Sequence, residues 1–330
     1  MSHLEIILPF GIPPTPHQKE LVRQMSTPSL AHLLGYAKQG QVLEFDEFSR
    51  LLPHERWLTS SLSTGHEGRQ TSAPLTHLRM QEFSLLPESG YWFSLSPVHI
   101  HVARDHLVMM DQRRLKFEEA EARTLFEAAK SLCEEVGKTL IYGDAKTWFL
   151  RADDWSNLQT ASLDAASGHN MTIWIAEGDH ARAWRTLQNE IQMLWHIHPI
   201  NQAREERGER PINSVWLHSG SAELANSTFQ NGEQGLSQLS GDSNRICLPN
   251  LIESAINGDA AEWLAQINCL ETTWFLPLQL ALKNKEISSV DFYLSDSTKL
   301  AHYHFTSGKN LRFWRKPTLK SLLALTLNMS

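Results

Sequence analysis

The chain lacks several features that identify whole classes of protein. Its three cysteines, Cys133, Cys247 and Cys269, lie far apart and have the spacing of neither a metal site nor a disulfide framework. No apolar run approaches the roughly 20 residues that span a bilayer. Residues 1–10 have no basic start, so they do not read as a signal peptide. We therefore expect a cytoplasmic protein in a reducing compartment, with no membrane partner.

An excess of positive charge is also missing. The formal net charge is −7 and is spread along the chain, which argues against a nucleic-acid partner because such proteins need a basic face. Hydrophobic residues make up 41%, enough for a sizeable core, so extensive disorder is excluded. A length of 330 residues suits one large α/β domain or a core with a second, smaller domain.

Strand and helix signals follow one another along the first part of the chain. Leu4–Leu8 is a short apolar run stopped by Pro9, which predicts a buried strand. Thr27 with Pro28 is typical of a helix start, and Lys116–Val136 carries apolar residues at helical spacing. We predict an α/β fold with a mostly parallel sheet flanked by helices. The predicted core spans residues 1–80 and 191–330, and a smaller inserted α+β domain spans residues 81–190.

The next part of the chain predicts a helix, a sharp stop and a buried strand. Asp179 is a candidate N-cap for a long helix that Pro199 should end or kink. Val215–Leu217 predicts a strand that finishes near Gly220. Residues 219–245, rich in Ser, Gly, Asn and Gln, predict an exposed loop. Further on, Val290–Leu294 and Ala301–Phe305 predict a pair of strands.

Polar residues around the predicted stop are candidates for a ligand site. Asn201 and Arg204 are three residues apart and can share a helix face, with His198 before them and Asn213 opening the next strand. Arginine suits bidentate binding of phosphate or carboxylate. These four residues are therefore the predicted binding site for an anionic small molecule. The alternative is that Arg204, Arg207 and Arg210 are solvated and form ion pairs with Glu205, Glu206 and Glu209.

Three His-x-His pairs raise the question of a metal. A pair at i, i+2 points to one face on a strand but not on a helix, so His99/His101 and His302/His304 are better chelators than His196/His198. With sixteen histidines in the chain, such pairs also arise by chance. Asp179-His180 is explained by helix capping. Ser60, Ser61, Ser63 and Thr64 lie in a Ser-rich stretch without a nucleophile motif.

The segment from His198 to Leu217 has the pattern H-P-x-N-x-x-R-x-x-x-G-x-x-P-x-N-x-x-W-L. It resembles the corresponding segment of archaeal-type cofactor-independent phosphoglycerate mutases of the alkaline phosphatase superfamily. Further stretches, Asn189–Met193, Pro97–His99 and Arg104–Leu107, are similar to the RpfE-type regulatory proteins, a phosphoglycerate mutase-like group. The resemblance covers most of residues 1–220 and fades after residue 245. It implies an alkaline phosphatase-like core with an inserted domain.

The resemblance also implies features that this chain does not have. Mutases of this kind use two divalent metals and a Ser or Thr nucleophile, with a metal-binding Asp at the end of the first strand. Here Pro9, Phe10 and Gly11 stand at that point. Residues 246–330 do not supply the expected Asp-x-x-x-His and Asp-His ligands. Since two-metal phosphoryl transfer needs a full ligand set, we expect no metal and no other cofactor, and we assign no catalytic residue.

The sequence therefore favours a catalytically degenerate phosphoglycerate mutase-like protein with a regulatory or anion-sensing role, binding a phosphorylated metabolite or a protein. Two alternatives remain open. One is an active metal-dependent phosphomutase or phosphatase that uses the histidine pairs as ligands. The other is a protein-interaction module whose cleft is filled by side chains.

Overall fold

The computed structural model of the chain describes residues 2–15, 17–60, 71–85, 89–222, 229–238, 243–307 and 316–325. The strands are β1 Ser2–Leu8, β2 Lys38–Glu44, β3 Trp92–Val98, β4 Ile100–Ala103, β5 His106–Met109, β6 Thr139–Tyr142, β7 Trp148–Arg151, β8 Ser214–Ser221, β9 Phe229–Asn231, β10 Arg245–Cys247, β11 Ile287–Ser295 and β12 Lys299–Thr306. The helices are α1 Gln18–Gln24, α2 Pro28–Tyr36, α3 Pro53–Thr59, α4 Thr76–Glu82, α5 Glu119–Glu135, α6 Leu163–Ala166, α7 Ala181–His196, α8 Pro199–Glu206, α9 Ile252–Ile256, α10 Ala260–Leu270, α11 Leu276–Lys283 and α12 Lys320–Ala324.

The chain divides into two compact units. The first consists of Met1–Glu47 and Thr228–Ser330, and the second, Phe48–Ser227, is inserted between these two parts. The inserted unit is the longer one, and its limits lie outside the predicted insertion, 81–190, at both ends. At the C-terminal limit the reason is strand pairing, because β8 lies beside β3 in one antiparallel sheet of the second unit.

The first unit is built on a six-stranded sheet in the order β2-β12-β11-β1-β10-β9. Strand β1 pairs in parallel with both β10 and β11, and β10 pairs in parallel with β9. The β11–β12 and β12–β2 pairings are antiparallel. The mostly parallel sheet of the prediction is confirmed, as is the strand pair formed by residues 290–294 and 301–305.

The centre of this sheet is buried because β1 has neighbours on both sides and apolar residues in succession. Ile6, Ile7 and Leu8 are each at most 1% exposed. A continuous apolar run is typical of a strand covered on both faces, so Leu4–Leu8 predicted the position of this strand correctly. Helix α2 begins at Pro28, as predicted.

The second unit contains a four-stranded antiparallel sheet in the order β6-β7-β3-β8, and β4 and β5 form a separate hairpin. Helices α5 and α7 contribute to its core, in which aromatic rings meet edge to face. The ring centroids of Trp148 and Trp195 are 5.8 Å apart, and those of Phe126 and Trp148 are 5.2 Å apart. Trp148 and Trp195 are fully buried, so both rings are part of this core.

Two local predictions need correction. Helix α7 begins at Ala181 with His180 as its N-cap residue, so Asp179 does not cap it. The polar stretch 219–245 is not one exposed loop, because Ser219–Ser221 belongs to β8 and Arg245–Cys247 forms β10. Its small polar side chains find partners inside the unit; Ser221 Oγ, for example, lies 2.7 Å from His77 Nδ1. The amino-acid composition of this stretch does not predict such hydrogen-bond partners.

The predicted helix Lys116–Val136 is present as Glu119–Glu135, and Gly137 follows it with φ 72°. Pro199 ends one helix and starts the next, as expected from its missing backbone donor.

Ser61, Ser63 and Thr64, and the 311–314 segment, lie outside the described residues. In the described part of the chain, no helix has both the length and the apolar character needed to cross a membrane.

Candidate functional site

The predicted ligand residue Asn201 lies in the interior of the second unit, where it is 2% exposed. Its Nδ2 donates to the carbonyl oxygens of Trp195 and Ile212 over 2.9 and 2.8 Å, and its Oδ1 accepts from Ile212 N over 2.8 Å. The side chain therefore connects the end of α7 to the segment that leads into β8. All of these bonds are made within the chain.

Arg204 is also buried, at 1% exposure, and each of its three guanidinium nitrogens has a partner. Nη1 donates to Glu121 over 2.6 Å, Nε donates to Arg210 O over 2.9 Å, and Nη2 donates to Lys116 O over 2.8 Å. Because Glu121 is buried as well, the pair is a buried salt bridge with its remaining donors satisfied. Arg207 also pairs with Glu121, and with Glu209.

Asn213 and His198 have local structural partners too. Asn213 Oδ1 accepts from Ile100 N and its Nδ2 donates to Ile100 O, both over 2.8 Å, so it joins β4 to the start of β8. His198 caps α8, with Nδ1 accepting from Ile200 N over 3.2 Å. Anion binding by His198, Asn201, Arg204 and Asn213 stays a prediction. The contacts described above give each of these four side chains a role in the fold.

A different cluster in the second unit brings ionisable groups together. His54 and Glu55 lie at the start of α3, and Asp164 lies at the start of α6. One ligand atom from each of these three residues lies within 4.8 Å of the others. In the described part of the chain, this is the one group of three or more His, Cys, Asp or Glu residues that meets this spacing.

Helix caps hold this cluster in place. Glu55 is the third residue of α3, and its Oε2 accepts from Leu52 N over 2.6 Å, which satisfies one of the open donors of the helix start. Ser162 caps α6 by accepting from Ala165 N over 3.2 Å, and its hydroxyl donates to Glu55 Oε2 over 2.8 Å. The local rules of helix initiation thus place both carboxylates.

The pKa values of the cluster are strongly displaced. Burial, together with the charge of Asp164, raises the pKa of Glu55 to about 8. Burial lowers the pKa of His54 to about 4. For Asp164, burial by itself would raise the pKa, but the charge and hydrogen bond of Arg113 outweigh it and the pKa is lowered. Displaced values of this kind concentrate at functional sites, although structural ion pairs produce them as well.

His218 lies within the electrostatic influence of Asp164. Its Nε2 lies 3.1 Å from Ser96 Oγ and its Nδ1 lies 2.9 Å from Ser219 Oγ. Burial and the charge of Arg79 lower its pKa to about 3, so the ring is neutral near pH 7. Ser219 has φ 59°, a left-handed conformation that is unfavourable for a residue with a side chain. Such strain is found preferentially at functional sites.

Two arginines complete the electrostatics. Arg113 Nη2 donates to Asp164 Oδ1 over 2.6 Å, and its Nε lies 3.0 Å from Asp111 Oδ1. Arg79 is exposed, and its charge acts on both Asp164 and His218. The region therefore offers a paired guanidinium and an exposed one beside three ionisable groups. Chemically, it can bind a cation through its carboxylates or an anion through Arg79.

The histidine pairs of the rival hypothesis have other surroundings. His302 Nε2 and His304 Nδ1 both contact Asp291 Oδ1, at 2.8 and 2.6 Å, and His3 lies 3.2 Å from the other oxygen. The rings of His99 and His101 are stacked with centroids 5.7 Å apart. His99 Nδ1 lies 2.8 Å from Pro211 O.

The end of β1 in the first unit carries apolar groups. Leu8 is 1% exposed and Phe10 is 8% exposed. Phe10 adopts φ 55°, its N donates to Ser295 Oγ over 3.2 Å, and its O accepts from Trp263 Nε1 over 2.9 Å. Asp259, in the C-terminal part, caps α10 by accepting from Glu262 N. Leu8, Phe10 and Trp263 therefore pack at this strand end, with the Ser295 hydroxyl bonded to the backbone of Phe10.

No family model matches the chain, and no curated protein matches it. Solved structures do resemble it. The PH0037 protein from Pyrococcus horikoshii aligns over 98% of this chain and 93% of its own, with 10% identity and a TM-score of 0.53. A cofactor-independent phosphoglycerate mutase from Thermoplasma acidophilum aligns over 98% of this chain and 95% of its own, with 12% identity and a TM-score of 0.40. The likeness to the PH0037 protein shows a shared fold.

Sequence reasoning missed His54, Glu55 and Asp164. The sequence did contain two local signals, Leu-Pro-His-Glu before an apolar helix face and Ser-Leu-Asp at the start of α6. Each signal predicts a helix start. Neither signal indicates that the two helix starts, 107 residues apart from Glu55 to Ser162, meet in space.

Proposed function

We propose that this chain is a phosphoglycerate mutase-like protein with a regulatory role. It binds an anionic, phosphorylated metabolite, and this binding is the regulatory signal. It does not catalyse phosphoryl transfer at the end of β1. The observation that carries the proposal is the apolar packing of that strand end. Phe10 and Leu8 occupy it, and Trp263 bonds to Phe10 O. A divalent cation needs oxygen or nitrogen ligands, which these side chains do not provide.

The polar region of the second unit supports the recognition part of the proposal. Arg79 is exposed and lies close enough to His218 and Asp164 to influence both. In the part of the chain that is described, no ion pair engages its guanidinium. An exposed guanidinium is well shaped for bidentate phosphate binding. We infer that Arg79, not Arg204, is the first contact of the metabolite.

Isothermal titration with 3-phosphoglycerate tests this proposal, with a mutase assay in Mn²⁺ and Mg²⁺ run on the same preparation. We expect saturable binding and no turnover. Arg79→Ala should weaken binding at least tenfold, since one charge-assisted contact to phosphate contributes about 1.5–3 kcal/mol. Arg182→Ala, an exposed arginine of α7, is the matched control and should bind like the wild type. If folded protein gives no heat of binding with 3-phosphoglycerate, the sensing role is excluded.

A metal-dependent phosphatase or phosphomutase is the second candidate function. The observation that favours it is the group formed by His54, Glu55 and Asp164, with one ligand atom of each within 4.8 Å of the others. The same assay separates the two candidates, because turnover that requires added Mn²⁺ supports the enzyme and excludes the regulator. Turnover that Glu55→Gln abolishes would assign the chemistry to this group.

A further inference from the structure

We propose that the second unit binds one divalent transition-metal ion, Mn²⁺ or Zn²⁺, between His54, Glu55 and Asp164. This inference depends on neither candidate function, since a cation here can organise a ligand site, a reaction or the fold alone. It also concerns a position that the resemblance to phosphoglycerate mutases did not suggest. The three residues come from the starts of α3 and α6.

The spacing of the three donors is close to that of a coordination sphere. Nitrogen and oxygen ligands bind Zn²⁺ at about 2.0–2.2 Å, so tetrahedral neighbours lie about 3.4 Å apart. The donors here all lie within 4.8 Å of one another. Each donor is at the end of its side chain, so rotation about the side-chain bonds changes these distances without moving the helix backbone.

Outer contacts orient the carboxylates and leave each with a second oxygen. Glu55 Oε2 is held by Leu52 N and Ser162 Oγ, and Asp164 Oδ1 is held by Arg113. Within the described residues, no hydrogen bond reaches Glu55 Oε1 or Asp164 Oδ2. Ligating carboxylates in metal sites are commonly fixed in this way by a second layer of hydrogen bonds. The hydrogen bonds that would support a bound metal ion are therefore already present.

The local charge also suits a dication. Arg113 pairs with Asp111 as well as with Asp164, so Asp111 balances its positive charge. The carboxyl groups of Glu55 and Asp164 have oxygens within 4.8 Å of each other, and a divalent ion bound between them displaces the Glu55 proton, because a ligating carboxylate is deprotonated. The exposed Arg79 opposes this only in part, because solvent screens its charge.

The donor set indicates the class of metal. One imidazole with two carboxylates suits Mn²⁺, Zn²⁺ and Fe²⁺, whereas Mg²⁺ and Ca²⁺ prefer oxygen ligands alone. Three protein ligands leave at least one coordination position for water or a ligand oxygen. Closed structural zinc sites have four protein ligands, so the site resembles the open type.

Two titrations of the full-length, metal-free protein test the inference. In the first, MnCl₂ is added and electron paramagnetic resonance measures the free Mn²⁺. In the second, ZnCl₂ is added and calorimetry measures the heat of binding. We expect one ion per chain. Glu55→Gln and Asp164→Asn should each weaken binding at least tenfold. Glu55→Gln keeps an oxygen that can accept from Leu52 and Ser162, so the variant should stay folded, which its melting curve checks. Ser162→Ala should weaken binding by a smaller factor, as expected for a supporting residue.

The matched control is Asp291→Asn in the first unit, where the carboxylate contacts His3, His302 and His304. This variant should bind Mn²⁺ like the wild type. Wild-type protein that binds no Mn²⁺ or Zn²⁺ overturns the inference. Full binding by a folded Glu55→Gln variant also overturns it, as does loss of binding in Asp291→Asn with retention in Asp164→Asn.

Discussion

Glu55 accepts a hydrogen bond from Ser162 over 2.8 Å, although 107 residues separate them in the chain. The same Ser162 caps the helix that carries Asp164. One hydroxyl therefore sets the position of both carboxylates of the candidate site. A residue that caps a helix and orients a ligand group has two measurable roles, one in stability and one in binding.

Ser162→Ala should lower the free energy of unfolding by about 1–2 kcal/mol, because α6 loses its cap and Glu55 loses a donor. Urea unfolding followed by tryptophan fluorescence measures this change. Ser131→Ala on the exposed side of α5 removes a hydroxyl with only a 3.4 Å contact to Glu127 O and should change stability by less than about 0.5 kcal/mol. Equal effects in both variants would contradict the assigned role of Ser162.

Arg204→Met should destabilise the second unit by about 3–5 kcal/mol, since Glu121 stays buried with its main partner removed. The measurement is again urea unfolding, with Arg182→Ala as an exposed control. If Arg204 were instead an anion-binding residue, the variant would unfold like the wild type and would lose affinity for 3-phosphoglycerate. The structure predicts the opposite pattern, in which the Arg204→Met variant loses stability.

His218 should make a contribution to the stability of the protein that falls as the pH decreases below about 6.5. Its pKa is lowered to about 3 in the folded protein, from 6.5 in the unfolded chain. Between these values the unfolded chain binds a proton that the folded protein does not, so acid favours unfolding. Above pH 6.5 the contribution is fully present, and it is lost progressively towards pH 3. His54, with a pKa of about 4, acts in the same direction.

His218→Gln should therefore flatten the dependence of unfolding free energy on pH between 6.5 and 4.5, because the glutamine side chain does not titrate. Urea unfolding at four pH values measures the slope. His196→Gln, at an exposed position of α7, should keep the wild-type slope. An unchanged slope in His218→Gln would mean that the pKa of this ring is the same in the folded protein as in the unfolded chain.

Parts of the fold could be predicted because local physics decides them. The apolar run Leu4–Leu8 has the composition of a strand buried on both faces, and Pro28 and Pro199 allow helices to begin but not to continue through them. A mostly parallel sheet followed from the strand–helix alternation, whereas the pairing of β1 with β10 and β11 in particular did not. These features depend on a few neighbouring residues, so the sequence contains them directly.

The candidate site could not be predicted in the same way. Asn201 and Arg204 look like ligand residues in the sequence, but their partners, Ile212 and Glu121, are chosen by tertiary packing. Conversely, Glu55 reads as an ordinary capping residue. Its role beside Asp164 depends on a contact between distant segments, which no local pattern encodes.

The most direct test of this account is a crystal soaked in MnCl₂, with data collected for the anomalous scattering of manganese. We predict one strong peak between His54, Glu55 and Asp164, and no peak beside Leu8 and Phe10 at the end of β1. A manganese peak at the end of β1 would contradict the view that the strand end has no catalytic metal, and a peak at Asp291 with none at Glu55 would contradict the proposed cation site.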